Sequence, residues 1–207
     1  LLRATPSKAR LLVDNSTVPP VDAVDIANHL ADASIHYVDA PVSGGAIGAR
    51  AGTLAVMVGG DQQDVALAEP VLKSFASKIT HLGPVGSGQA MKACNQVLNF
   101  GTMAALAEAV ALGGRYGLEP GIIVEAVAGG FAESSVSREF GRSISADDTS
   151  PVRILVETLD DYYRGNLRRE LAGNLDILMK DLAMALDMAR ERGVPLPVIS
   201  HFDAVFR

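Results

Sequence analysis

From residue 89 to residue 114 the chain reads QAMKACNQVLNFGTMAALAEAVALGG, rich in Ala, Leu, Val and Met and without a proline. Such a run predicts one long helix. Its apolar residues fall on several sides, so the helix is expected to be buried. Gly101, Gly113 and Gly114 would let a second helix approach closely or let this one bend. The run divides 207 residues into two unlike parts. Before it, short apolar strands alternate with helices; after it, the pattern is helical throughout.

In the first part, Leu11, Leu12 and Val13 read as a short buried strand, and Asp14, Asn15, Ser16 and Thr17 as a polar turn. Pro19 and Pro20 open a helix over residues 21–33, with Val21, Val24, Ala27 and Leu30 near one face. Residues 35–38 form the next strand. Strand, loop, helix and strand make a βαβ unit, which favours parallel pairing in a Rossmann-type sheet. Residues 53–58, TLAVMV, are a further strand. Asp61 caps a helix reaching to about residue 76, with Asp64 in its first turn. One more short strand covers 78–82. Gly83, Pro84, Gly86 and Gly88 then interrupt the pattern and place a domain boundary between residues 86 and 87.

In the second part, Glu119 and Pro120 start a helix that Gly129 and Gly130 end. Residues 145–150 should be a loop, and 152–159 have helical apolar spacing. The charged run 167–170 reads as a solvated helix face. Leu171, Leu175, Leu178, Leu182, Ala185 and Ala189 recur at gaps of four and three, a helix stripe that Gly193, Pro195 and Pro197 terminate. A last helix starts near Pro197 and includes Val198, Ile199 and Phe202. The expected fold class is therefore α/β plus all-α: the C-terminal part of a Rossmann-type domain over residues 1–86, then a helical domain over 87–207 built on the long interdomain helix.

With 48% hydrophobic and 20% charged residues, the chain can bury a sizeable core. A net charge of −6 and the lack of a basic run argue against a nucleic-acid partner. The single cysteine, Cys94, excludes an internal disulfide, fits a reducing compartment and reads as a small buried core residue. The first fourteen residues do not form a signal peptide, and no apolar run is expected to span a bilayer. A cytoplasmic protein is expected. His29, His36, His81 and His201 are scattered without metal-ligand spacing, so no metal is expected.

Two places carry candidate chemistry. Residues 39–60, DAPVSGGAIGARAGTLAVMVGG, place a glycine-rich loop between strands. Gly44 and Gly45 permit positive φ, successive N–H groups in such a turn can converge on an anion, and the Ser43 hydroxyl adds a donor. The loop reads either as a carboxylate cradle or as a tight turn that needs glycine for geometry alone. Lys92 sits one to two turns inside the long helix, among Ala, Met and Cys. It either snorkels to solvent or is held in a cleft, where desolvation disfavours the ammonium and makes it a usable proton acceptor.

The stretch 39–60 closely resembles the substrate-binding signature of the β-hydroxyacid dehydrogenases, a family that includes 3-hydroxyisobutyrate dehydrogenase, tartronate semialdehyde reductase and, more distantly, 6-phosphogluconate dehydrogenase. Two further blocks, residues 86–95 and 180–197, follow in the family's order, with a gap between Glu133 and Leu171. The resemblance implies NAD or NADP as cofactor, a small carboxylate-bearing substrate and a homodimer or homotetramer. It implies that Ser43, Gly44 and Gly45 hold the carboxylate and that Lys92 moves the hydroxyl proton. DNSTVPP resembles the family's cofactor-contacting block, which carries the cofactor role to Thr17; on its own residues, Ser16 or Thr17 would merely cap a helix. Four residues past the lysine, where the family has a substrate-binding asparagine, stands Gln96, an amide longer by one methylene. Lys180 and Asp181 resemble a block whose lysine lies near the nicotinamide; by periodicity alone they are an exposed pair on a helix.

No G-x-G-x-x-G turn opens a βαβ unit in these residues. Against the family's pattern, the chain begins with the first domain already more than half over. The expectation is a partial 3-hydroxyacid dehydrogenase that does not turn over as this chain alone. The rival is a non-catalytic helical oligomerisation module, which need not bind NADH.

Overall fold

The computed structural model describes residues 9–148, 150–165 and 175–206, with residues 175–177 as backbone only. The chain divides into two compact units, Leu1–Asn95 and Gln96–Arg207.

The first unit runs β1 (Leu11–Asp14), α1 (Pro20–Ala31), β2 (His36–Asp39), β3 (Val42–Ser43), α2 (Gly45–Ala51), β4 (Leu54–Val58), α3 (Gln62–Leu72) and β5 (Ala76–His81). β1 and β2 pair in parallel, from Leu11 opposite His36 to Asp14 opposite Asp39. β4 pairs in parallel with β5 and antiparallel with β3. An antiparallel bridge between Asp39 and Gly59 links the ends of β2 and β4. Asp14 and Asp39 thus both stand at carboxyl ends of parallel strands, where open α/β sheets gather ligands. The main core of this unit is Val38, Ala40, Leu54, Val56, Val58, Val65, Ala68, Leu72 and Ala76.

Several elements differ from their sequence reading. The buried face of α1 carries Ala23 and Leu30, with Ile26 and Ala27 packed beside them, while Val21 and Val24 are exposed. The 23-26-27-30 spacing is as helical as the expected stripe; small Ala23 is the residue that fits under the sheet. β1 is half-buried along its length, not fully buried. The interval expected as loop between β2 and β4 holds both β3 and the two-turn α2, which Gly52 closes at φ 67°. α3 ends at Leu72, leaving Ala76 to begin β5. Its N-cap is Asp61, whose carboxylate accepts from the Gln63 N–H at 2.8 Å.

α4 (Ser87–Arg115) starts in the first unit and continues into the second. There it meets α5 (Pro120–Val127), α6 (Ser135–Ser145), α7 (Pro151–Tyr163), α8 (Leu175–Glu191) and α9 (Pro197–Phe206). The second core joins Phe100, Met103, Ala107 and Val110 of α4 to Phe140, Leu155, Leu159, Leu182 and Phe202. The Phe100 and Phe202 rings lie 5.1 Å apart, tilted against each other. A Cβ at Gly113 would run into Ile123, which is the close approach expected of that glycine. α6 is begun by a capping box in which Ser134 and Ser137 exchange side-chain-to-backbone bonds. α8 buries Leu182 and Ala185, as the stripe predicts, while Val198 of α9 is exposed. The stripe's Leu171 and the charged run 167–170 lie outside the described residues, as does the side chain of Leu175.

The expectation that no segment is long and apolar enough to span a bilayer is corrected by α4, which passes by length and composition. Polar residues at helical spacing hide this in the linear sequence. One helix of this kind is also what a protein core uses, and the α4 residues named above form the core of the second unit.

Candidate active site

The first unit's site is built around a carboxylate. Asp39, at the end of β2, is fully buried. It accepts from the Gly86 N–H at 2.8 Å and from the Gln89 N–H at 2.9 Å. Both donors belong to the entry of α4, whose first-turn amides have no partner inside the helix and attract negative charge. The approach is close enough to exclude side chains. A Cβ at Gly88 would strike the Met57 and Asp39 carbonyl oxygens, and one at Gly59 would strike the Asp39 carboxylate.

Gln89, also fully buried, reaches the other way. Its Nε2 donates to the Ser16 carbonyl at 2.8 Å, and its Oε1 accepts from the Val18 N–H at 3.2 Å. These two bonds bracket Thr17, the half-buried residue assigned to the cofactor. The same loop is braced from β1. The Asp14 carboxylate accepts from Ser16 N–H at 2.8 Å and from the Tyr37 hydroxyl at 2.9 Å. Burial pushes the Asp14 carboxyl up, but the Ser16 and Tyr37 hydrogen bonds outweigh it and hold the group below its ordinary value. Burial and the Asp14 contact push the Tyr37 phenol far above its own.

One turn beyond Gln89, Lys92 is buried to 8% exposure, and its Nζ donates to the Val42 carbonyl at 3.0 Å. The amine therefore does not snorkel to solvent. It lies against β3 at the residue preceding Ser43. Ser43 pairs with Ala55 of β4, and Gly44 and Gly45 follow at φ 131° and 60° as the entry to α2. A Cβ at Gly44 would come within 2.9 Å of the Leu54 side chain, whereas one at Gly45 meets nothing within 4 Å. Gly44 and Gly45 are thus both demanded by their positive φ. The structure brings Lys92, Ser43, Gly44 and Gly45 into one neighbourhood and ties Thr17 to the same helix through Gln89.

In the second unit, Gln96 is nearly fully buried. Its Nε2 donates to Asp181 Oδ2 at 2.7 Å, and its Oε1 accepts from Asn99 Nδ2 at 3.2 Å. Asp181 is buried and its other oxygen lies 3.4 Å from Lys180 Nζ, itself largely exposed. Gln96 and Lys180 are therefore linked through Asp181. The pair read as exposed by periodicity is half wrong, because its carboxylate faces inward. Cys94, expected in the core, is exposed; two residues on from buried Lys92, it falls on a different face of α4. Sequence reasoning gave no role to Asp39, Gln89 or Asp181. Gln89 had a readable signal, being an amide in the first turn of a buried apolar helix.

The family model of the NAD-binding domain of 6-phosphogluconate dehydrogenase matches residues 2–83. That of the NAD-binding domain of NADP-dependent 3-hydroxyisobutyrate dehydrogenase matches residues 86–157. The chain belongs to the β-hydroxyacid dehydrogenase family. It is 35% identical over 196 residues to 2-(hydroxymethyl)glutarate dehydrogenase of Eubacterium barkeri, covering 95% of this chain and 59% of that one. It is 32% identical over 202 residues to mitochondrial 3-hydroxyisobutyrate dehydrogenase of Bos taurus, covering 97% of this chain and 56% of that one. The structure of Mycobacterium tuberculosis 3-hydroxyisobutyrate dehydrogenase with L-serine superposes with a TM-score of 0.71 at 29% identity, over 97% of this chain and 65% of that one. The chain thus spans a little over half the length of the curated relatives it matches. The fold is the family's: a Rossmann-like part followed by a helical part.

The described residues fit part of a dinucleotide. The loop after β1 carries Thr17 at the carboxyl end of a parallel strand, the place such cofactors occupy. The 207 residues contain no G-x-G-x-x-G turn for a pyrophosphate.

Proposed function

We propose that these residues serve an NAD(P)-dependent dehydrogenase that oxidises a short 3-hydroxy acid, 3-hydroxyisobutyrate-like, or reduces the corresponding semialdehyde. The observation that carries this reading is the buried Lys92 amine, 3.0 Å from the Val42 carbonyl and next to the Ser43–Gly44–Gly45 turn. A proton-transfer group and a carboxylate-binding turn side by side are what a hydroxy acid needs. The relatives' names support the substrate class, and L-serine, present with the M. tuberculosis relative, is itself a 3-hydroxy acid.

In this reading Ser43 and the glycine amides hold the substrate carboxylate. Neutral Lys92 takes the hydroxyl proton, and in the reductive direction the ammonium returns it to the carbonyl oxygen. A bound NAD or NADP supplies the hydride acceptor. Thr17 contacts the cofactor from the loop after β1, and Lys180 contacts it from α8. Gln96 reads substrate size through its length. Residues 1–86 act as the cofactor domain and 87–207 as the substrate and oligomerisation domain, in a homodimer or homotetramer.

The test is a panel of short 3-hydroxy acids, differing in length and branching, assayed with NAD and with NADP on the full-length protein. Steady reduction of either cofactor with one or more acids is expected. No turnover across the panel would overturn the enzymatic reading. The second reading, a helical oligomerisation module, is favoured by an open apolar groove on the second unit between α4 (Val97, Leu98, Gly101, Ala105) and the start of α9 (Pro197, Val198). Such a module need not bind cofactor, so an NADH fluorescence titration separates the two.

A further inference from the structure

We infer that Gln89 is a positioning residue: its side-chain amide latches the loop carrying Thr17 onto the helix carrying Lys92. The inference rests on the proposed dehydrogenase reading for its consequence, but its geometry stands by itself. Gln89 is fully buried, and both ends of its amide are used on one short segment. The donor goes to the Ser16 carbonyl at 2.8 Å and the acceptor takes the Val18 N–H at 3.2 Å. The two contacts fall on either side of Thr17 and fix its backbone at both flanks. A single contact would leave the loop free to pivot; two do not.

The latch is anchored at its base. The Gln89 N–H donates to buried Asp39 at 2.9 Å, so the residue is held by its backbone while its side chain holds the loop. Lys92 follows within one turn on the same helix. Beside the Asp14 brace on the same loop, the Gln89 side chain therefore ties the Thr17 segment to the helix turn that carries Lys92. Asn, one methylene shorter, makes both contacts only if loop or helix moves. Glu keeps an acceptor for Val18 but sets an oxygen against the Ser16 carbonyl. A hydride-transfer site needs loop and helix fixed relative to each other, because the proton acceptor and hydride acceptor act on one carbon and small misplacements are costly.

The experiment compares wild type, Gln89→Glu and Gln89→Leu in the full-length protein. It measures amide exchange by NMR, cofactor Kd by NADH and NADPH fluorescence, and kcat and KM per folded molecule. In Gln89→Leu, Val18 amide exchange should rise about tenfold, the scale of one lost hydrogen bond. Cofactor Kd should rise by a similar factor, with a fall in kcat and little change in hydroxy-acid KM. Gln89→Glu should keep most of the Val18 protection while still weakening cofactor binding. A role in stability alone would lower the melting temperature of both variants and speed Val18 exchange in Gln89→Leu while leaving Kd and kcat per folded molecule at wild-type values, which would overturn the inference. Wild type that binds cofactor yet turns over no acid would sink the dehydrogenase reading and leave the exchange and Kd comparison decisive for the latch. Wild type that binds neither NADH nor NADPH would overturn the latch's role toward cofactor.

Discussion

At the scale of single residues, buried polar groups decide the site. Asp39 accepts two backbone N–H groups in a fully buried setting, and both belong to the α4 entry. Asp39→Asn keeps the shape but puts an NH2 where one N–H must be accepted. A buried, charge-assisted pair so broken should cost about 1–3 kcal/mol, measured as a lower urea midpoint with unchanged m-value. An unchanged midpoint would mean the cap contributes nothing. Gln96 is a different case. Its amide reaches Asp181 at 2.7 Å, and Asn at this position is shorter by one methylene. Gln96→Asn should change relative kcat/KM among hydroxy acids of different size; identical ratios across the panel would remove Gln96 from specificity. Residue type alone left Lys92 open as a surface lysine and Ser43, Gly44 and Gly45 as a plain turn; the family resemblance singled them out as candidates, and the structure brings them into one neighbourhood. The partners of Asp39 and Gln89 were not legible in the sequence. Their hydrogen bonds span 47 to 73 positions, and no local pattern encodes such pairing.

At the scale of elements, β1 and β2 are joined by a side-chain bond from the Tyr37 hydroxyl to Asp14 as well as by their backbone ladder. Asp14's folded pKa lies below its ordinary value. Unfolding therefore takes up a proton in the interval between the two values. The stability Asp14 contributes is complete above the unfolded pKa of about 3.9 and disappears as pH falls through the folded value. Tyr37→Phe removes one of the bonds that lower this pKa, so it should raise the Asp14 carboxyl toward the ordinary range and flatten the acid loss of stability. An NMR titration of Asp14 in both proteins checks this, and coincident curves would contradict it. The strand–helix alternation and α4 were readable because periodicity is local. α2 and the buried face of α1 were not. The span Gly44–Gly52 around α2 holds four glycines and α2 has no side-chain cap, and α1 offers two apolar stripes between which only packing against β2 chooses.

At the scale of the whole molecule, the second unit leaves large apolar residues exposed on α4 and α9, among them Leu98 and Val198. In a homo-oligomer these would be covered. Light scattering at micromolar concentration should give a dimer or larger species, and a stable monomer would contradict the assembly. The helical character of the second part was anticipated because apolar stretches at helical spacing and their Gly and Pro breakers are local signals. α6 escaped because its cap is two serines and its residues are mostly polar. The central claim is that Lys92 moves the proton of a hydroxy acid held by the Ser43–Gly45 turn. The most direct measurement is turnover of the best hydroxy acid by Lys92→Ala and wild type, together with cofactor Kd, on folded full-length protein. A general acid/base contributes about 10²–10⁴-fold, so kcat should fall by that factor while cofactor Kd stays near wild type. Near-normal turnover in the folded variant would contradict the account.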